Sequence, residues 1–337
     1  MRINASATDR NDVARRTRRT RRFLAVSAAA VLAMTVSACG GSSDAAGDKT
    51  DTIRLGIVPV ATWVPVMVAQ EKGYFKDHGL TVKITNITQS PSAAIGRQFD
   101  LAQATGTDFL QAVNGGLDQV LVSNVAQETD TTKIIVPPNS DIKDLADLKG
   151  KRIGVATRAS VIAQSLLAEL KKDGVKESDV TLQEMPFPTM LDQLKAGKVD
   201  AIAPTEPFVG QAVAAGNRPL SNPLLTATHD FTGGKPPMLM FVAASRKWAE
   251  THTKDIKAWR DSLDQANKFI ADNEDEARAI FQRYTKLPKQ VAQNMPLYNY
   301  EATPTTAAQL DVWLDVLKGS GTIAQDNKID TTKLVIK

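Results

Sequence analysis

The side chains able to do chemistry in this chain gather where short apolar strands hand over to helices. Four such junctions stand out, at 60–64, 105–108, 157–160 and 204–208. Ligands of open α/β sheets collect beyond the carboxyl ends of strands, and free N–H groups at helix starts hold anions without any special side chain. Trp63 offers an indole as a pocket wall, or else packs inside a lobe. Thr107 and Ser160 are hydroxyls at helix starts, able to cap the helix or to reach a ligand. Arg158 lies just before a helix start and suits a sulfonate or carboxylate; the plain alternative is an exposed arginine. Asp108 and Glu206 are acids at helix starts, where the helix dipole alone accounts for them. If they face a cleft, an ammonium group is their natural partner, and with Arg158 for an acid end the ligand becomes a zwitterion.

Catalytic constellations are missing by comparison. His78, His229 and His252 are the only histidines, each in a polar stretch. The adjacent pair His229-Asp230 reads as a solvent loop rather than part of a triad. The chain has no Gly-x-Ser-x-Gly elbow, no His-Glu-x-x-His helix and no phosphate-binding Gly-Lys-Ser/Thr loop. Gly319-Ser320-Gly321 follows a helix, so it is no dinucleotide fingerprint. A non-enzymatic protein is expected, with no cofactor and no metal.

The junctions need strands and helices in alternation, and the hydrophobic pattern supplies them. Strands are predicted at 53–57, 81–87, 101–104, 119–125, 133–136, 152–156, 181–185, 199–203 and 239–244. Helices are predicted at 65–72, 107–114, 160–172 and 189–196, then at 246–251, 254–273, 274–284, 289–294 and 305–318. Pro65 fits a first helical turn and Gly73 a helix end. Alternating βα units imply an α/β fold with mostly parallel sheets and helices on both faces. Length suggests two lobes, with the chain crossing out near Pro137 and back near Pro236-Pro237. The expected division is 53–136 plus 237–337 for lobe 1 and 137–236 for lobe 2.

The first 52 residues read as a leader and a linker ahead of the α/β body. Six arginines between Arg15 and Arg22 precede an uncharged run from Phe23 to Val36, too short for a stable span, then Ser37-Ala38-Cys39. This predicts a signal peptide over 1–38, with Cys39 as a lipidation site and 39–52 as a lipidated, flexible linker. Arg21-Arg22 leaves both the general and the twin-arginine export routes open. The leader carries eight arginines against Asp9 and Asp12, a surplus of six. Taking that six from the whole-chain net charge of +4 leaves −2 for the remainder, so no electrostatic case for nucleic acid survives. Cys39 is the only cysteine, which excludes a disulfide framework.

Four motifs in order carry a family resemblance. Glu71-Lys72-Gly73-Tyr74-Phe75 with Gly79-Leu80-Thr81-Val82 resembles the first-helix signature of solute-binding proteins for nitrate, alkanesulfonates, taurine and thiamine-precursor pyrimidines. The segment from Asp147 to Val155 resembles the opening of that family's second lobe; 194–201 and Glu206-Pro207-Phe208 resemble its next signatures. Thr205 stands where many relatives carry an aromatic residue. The resemblance implies a two-lobed periplasmic-binding-protein-like fold of type II that closes on one small molecule. It further implies delivery to an ABC permease by a monomer, held on the extracytoplasmic face of the cell membrane by its lipid anchor. A taurine-like aminosulfonate is the expected zwitterion. A pyrimidine-precursor binding protein or enzyme, and a ligand-sensing input to a membrane receptor, are the alternatives.

Overall fold

The computed structural model describes residues 52–88 and 91–336. The expected signal peptide, Cys39 and residues 39–51 of the linker lie outside the described residues. In chain order the elements are β1 (Ile53–Ile57), α1 (Val64–Lys72), α2 (Tyr74–Asp77), β2 (Val82–Asn86), β3 (Leu101–Thr105), α3 (Gly106–Asn114) and β4 (Gln119–Gln127). Then come β5 (Ile135–Val136), β6 (Arg152–Val155), α4 (Val161–Lys172), β7 (Thr181–Glu184), α5 (Phe187–Lys195), β8 (Ala201–Ile202), α6 (Phe208–Ala214), β9 (Arg218–Pro219) and α7 (Pro223–Thr232). The chain ends with β10 (Met238–Ser245), α8 (Arg246–Thr251), α9 (Thr253–Asp272), α10 (Glu274–Thr285), α11 (Lys289–Asn294), β11 (Asn299–Tyr300) and α12 (Ala307–Ser320).

Two sheets result, in the orders β11-β4-β10-β3-β1-β2 and β7-β6-β8-β5-β9. Both centre on a parallel trio, β2-β1-β3 and β7-β6-β8. Both then continue with an antiparallel strand that enters immediately after the chain has crossed between lobes, β10 in the first sheet and β5 in the second. The sheets are therefore mixed rather than mostly parallel. The strand expected in lobe 1 at 133–136 is β5, which pairs with β8 and β9. The first crossing thus runs over 128–134, ahead of Pro137, and the second over 220–237.

The parallel trios share a device. At the start of β1 the Arg54 side chain grips Asp100 through Nε (2.9 Å) and a terminal nitrogen (2.6 Å), while the Arg54 backbone N–H donates to the same carboxylate at 2.9 Å. At the start of β6, Arg152 grips Asp200 the same way, at 3.1, 2.8 and 2.8 Å. Bidentate arginine–carboxylate geometry fixes direction as well as distance. It pins the N-terminal ends of neighbouring strands and leaves their carboxyl ends to the loops.

Local structure follows the chain's own signals. Pro65 occupies the first turn of α1, and Gly73 ends it in the left-handed conformation at φ 82°. β10 runs between β3 and β4 and is buried over nearly its whole length, as its unbroken apolar sequence requires. Val161–Leu170 of α4 are all buried, because both α7 and α12 pack on it. The C-terminal helix α12 also meets α3, and so touches elements of both lobes. Trp313 of α12 lies against Gly106, where a Cβ would come within 2.0 Å of the indole, and its Nε1 donates to the Met238 carbonyl at 2.8 Å. His229 is in α7 rather than a loop, since Asn222 caps that helix through its Oδ1 and Pro223 begins it. Among the described residues no helix is long and apolar enough to cross a membrane.

The two crossings are tied by one acid. Glu128, fully buried, accepts from the Thr131 N–H (2.6 Å), the Thr131 and Thr132 hydroxyls (3.0 and 3.2 Å) and Asn222 Nδ2 (3.1 Å). Burial pushes its carboxyl up, against the pull of these four donors. Contacts between the lobes add to this: the Thr205 and Tyr298 hydroxyls meet at 2.7 Å, and the Ala61 N–H donates to the Glu206 carbonyl at 3.2 Å, while within lobe 1 the Tyr300 hydroxyl donates to the Ala61 carbonyl at 2.8 Å.

Candidate functional site

The carboxyl ends of both parallel trios face one cavity of about 80 Å³. A single water takes about 10–15 Å³ of such space, so it has room for a small solute. From the first trio come Val58, Val60 and Thr62 after β1, Thr88 after β2, Gln103 and Thr105 on β3, and Asp108 in the first turn of α3. From the second come Ala156, Thr157, Ser160, Val161 and Ile162 after β6, Phe187 at the start of α5, and Thr205 after β8. Thr132 of the first crossing and Leu239 and Met240 of β10 complete the wall. All four strand–helix junctions read from the sequence contribute to it.

Within those junctions the structure selects particular side chains. Asp108 lines the cavity. Its Oδ2 accepts from the Thr105 hydroxyl at 2.9 Å, while Oδ1 is buried with no partner. Burial pushes this carboxyl up to about 6, with the Thr105 hydroxyl pulling the other way. Thr62 Oγ1 and Thr157 Oγ1 are likewise buried without a partner. Buried polar groups are normally satisfied, so three orphans in one cavity wall mark a place that expects a polar guest. Ser160 also lines the cavity, and caps α4 by accepting from the Ala163 N–H at 3.3 Å. The first N–H groups of α4, on Val161 and Ile162, have no acceptor within the helix, and both residues border the cavity.

Four expected site residues are placed elsewhere. Trp63 is fully buried in the lobe, at the end of a short 3-10 turn over 61–63; its Nε1 donates to the Gln103 side-chain oxygen at 3.1 Å. Thr107 is inside α3 rather than capping it, since Thr105 holds the cap position; its hydroxyl donates to the Ala159 carbonyl at 2.7 Å and so ties the lobes. Arg158 points outward to an exposed ion pair with Glu177 at 2.8 Å, its backbone N–H bonded to Glu184 at 2.6 Å. No guanidinium therefore reaches the cavity, whose described lining contains no Lys, Arg or His. Glu206, only 5% exposed, turns back on its own helix to accept from the Gly210 N–H at 3.2 Å. Burial, and secondarily the Glu128 carboxylate nearby, push its carboxyl up to about 7 despite that hydrogen bond.

Several lining residues escaped the sequence reading: Thr62, Gln103, Thr105 and Thr157. Gln103 had a signal, as the lone polar residue inside the buried run 101–104. Phe187 is backed by Phe208 in a stack with centroids 5.9 Å apart, which presents one flat ring to the cavity. The histidines stay away from it: His229 is exposed beside Asp230 at 3.2 Å, and His252 stacks on Trp248.

Two lobes built on matching mixed sheets, joined by two crossings and facing each other over strand ends, make the periplasmic-binding-protein fold. Solved structures agree: the alkanesulfonate-binding protein SsuA of Xanthomonas axonopodis pv. citri, bound to MOPS, superposes with TM-score 0.70 at 20% identity over 84% of this chain and 96% of that one. The nitrate-binding protein NrtA of Synechocystis PCC 6803 gives 0.64 at 15% identity, over 85% and 84%. The chain belongs to the NMT1/THI5-like family, whose model matches residues 61–277. Among curated proteins, one from Bacillus subtilis (strain 168) named for binding aliphatic sulfonates is 25% identical over 265 residues, 76% of each chain. A Haemophilus influenzae protein named for thiamine biosynthesis is 31% identical over 141 residues, 41% of this chain and 44% of that protein.

Proposed function

We propose that this protein is the lipid-anchored, extracytoplasmic solute-binding component of an ABC importer, and that its cleft takes a small organic zwitterion for which taurine is the model. It captures the solute without transforming it. The observation that carries the ligand class is Asp108: a carboxylate oxygen without a partner, in a cavity whose lining holds no cationic side chain. An ammonium group would supply that partner, and the helix start at Val161 and Ile162 suits the sulfonate end. Loss of Arg158 from the site moves the anion's support from a side chain to the backbone. Nitrate fits this lining poorly, since a small anion would share a poorly hydrated space with Asp108 and find no cation. The flat face of Phe187 supports a second reading, an aminopyrimidine stacked on the ring while Asp108 binds its amino group.

Mechanistically, the lobes swing about residues 128–134 and 220–237, and a ligand that touches both lobes only in the closed form shifts the population toward it. The monomer then presents the closed form to the permease. Calorimetry with taurine, ethanesulfonate, nitrate and an aminopyrimidine tests the ligand class, with mass spectrometry to verify that the ligand is recovered unchanged. Tight nitrate binding without a taurine response would sink the zwitterion reading, and turnover would sink the transport reading. Anchoring through Cys39 predicts that Cys39→Ala moves the protein from the membrane fraction to the soluble one.

A further inference from the structure

Gln103 is held in a way that fixes what it can offer. Its side-chain oxygen accepts from two donors at once, the Val58 backbone N–H at 2.6 Å and the Trp63 indole N–H at 3.1 Å. Neither donor can accept, so the amide cannot turn over: nitrogen in place of oxygen would face two N–H groups and lose both bonds. The amide nitrogen is left over, and it makes no bond to another residue among the described ones. Gln103 is 9% exposed and borders the cavity. A planar group with its oxygen consumed and its residue at the cavity wall can present only N–H to a ligand.

We propose that Gln103 is the fixed hydrogen-bond donor of the cleft and that Trp63, which never touches the ligand, is the positioning residue that fixes it. The site then has a built-in polarity, with donation from Gln103 at one point of the wall and acceptance by Asp108 at another. A ligand must carry an acceptor, such as a sulfonate or carboxylate oxygen, as well as the ammonium group; an amine without an acceptor end leaves Gln103 unpaired. This rests on the zwitterion reading above and adds to it the residue that selects the second end. Sites built to hydrogen-bond a ligand reject analogues lacking the group strongly, because the buried partner is stranded. Trp63 thus regains a part in recognition, through its N–H rather than its ring face.

The test uses Gln103→Glu, which keeps an oxygen for both Val58 and Trp63 but replaces the donor with an acceptor. Calorimetry with taurine should show about 100-fold weaker binding, from a lost charge-assisted bond plus repulsion of the sulfonate. Trp63→Phe should weaken taurine binding by about 5–10-fold, with far-UV dichroism and melting followed in parallel. The double variant separates positioning from packing: if Trp63 acts through Gln103, its effect disappears in the Gln103→Glu background, whereas a packing defect adds. Should Trp63→Phe fail to fold, Gln103→Glu decides the donor assignment alone. Wild-type binding with unchanged affinity in Gln103→Glu overturns the assignment, and additive losses overturn the role of Trp63. If the wild type binds neither taurine nor ethanesulfonate, the ligand class falls, and with it the inference.

Discussion

Glu206→Gln should make the ligand-free protein more stable at alkaline pH and leave it nearly unchanged at acid pH. The wild-type carboxyl is raised from 4.5 to about 7 in the folded protein. A raised acid is held protonated by the folded chain while the unfolded chain has already ionised. Stability is therefore lost as pH rises from about 4.5 to about 7, and stays lost above. The interval of about 2.5 pH units corresponds to about 3.5 kcal/mol at about 1.4 kcal/mol per unit once both states are fully ionised. Glutamine cannot ionise, and its amide oxygen can still accept from the Gly210 N–H that meets Glu206 at 3.2 Å. The variant's advantage should be about 0.4 kcal/mol at pH 4.5, about RT ln 2, and grow to about 3 kcal/mol by pH 8. Urea unfolding read by tryptophan fluorescence at pH 4.5, 6 and 8 measures it, since Trp63, Trp259 and Trp313 are all fully buried. A difference that does not change with pH, or a variant less stable than wild type at pH 8, would refute the reasoning.

The ammonium reading of Asp108 carries a pH dependence of the opposite practical sense. A ligand cation prefers the ionised carboxylate, which the empty site holds at about 6, so taurine affinity should fall about tenfold per unit below pH 6 and level off above it. Calorimetry at pH 5 in buffers of different ionisation enthalpy should show a proton released on binding; pH-independent affinity without release speaks against it. Gly106→Ala should disrupt the seat of α12, because the new methyl would come within 2.0 Å of Trp313. Overpacking of this kind costs about 1–3 kcal/mol or more, readable as a lower urea midpoint, and a midpoint equal to wild type would show that the indole moves aside freely.

How much the chain disclosed depended on the scale of the question. Period-two and helical patterning located every strand of both parallel trios, and the C-terminal helices 289–294 and 246–251 end where their cues put them. Very short strands such as β9 and β11 left no periodicity to read, and the threonine-rich interior of α7 hid that helix despite Asn222 and Pro223 at its start and Gly233 at its end. The site divides similarly. Each junction was legible because Pro, Gly and small polar residues mark where strands end. Which side chain within a junction faces the cleft depends on backbone rotation over one residue. At each place the neighbour intrudes: Thr62 faces inward where Trp63 was expected, Thr157 rather than Arg158, Thr205 rather than Glu206. Of the expected site residues, Asp108 and Ser160 line the cavity. The folding-back of Glu206 onto Gly210, and of Thr107 onto Ala159, are three-dimensional accidents of partner availability that no spacing rule records.

The twin clamps Arg54–Asp100 and Arg152–Asp200 divide each lobe into a fastened base and an adjustable mouth. Both clamps secure the strand starts, a full strand length away from the cavity, so the residues that shape the cavity carry none of that fastening. For retargeting this scaffold, the practical recipe is to leave the four clamp residues alone and to randomise positions such as Thr62, Thr88, Thr157 and Thr205, whose side chains are small and face the cavity. A biosensor built this way would inherit its rigidity from one end of each sheet and its chemistry from the other.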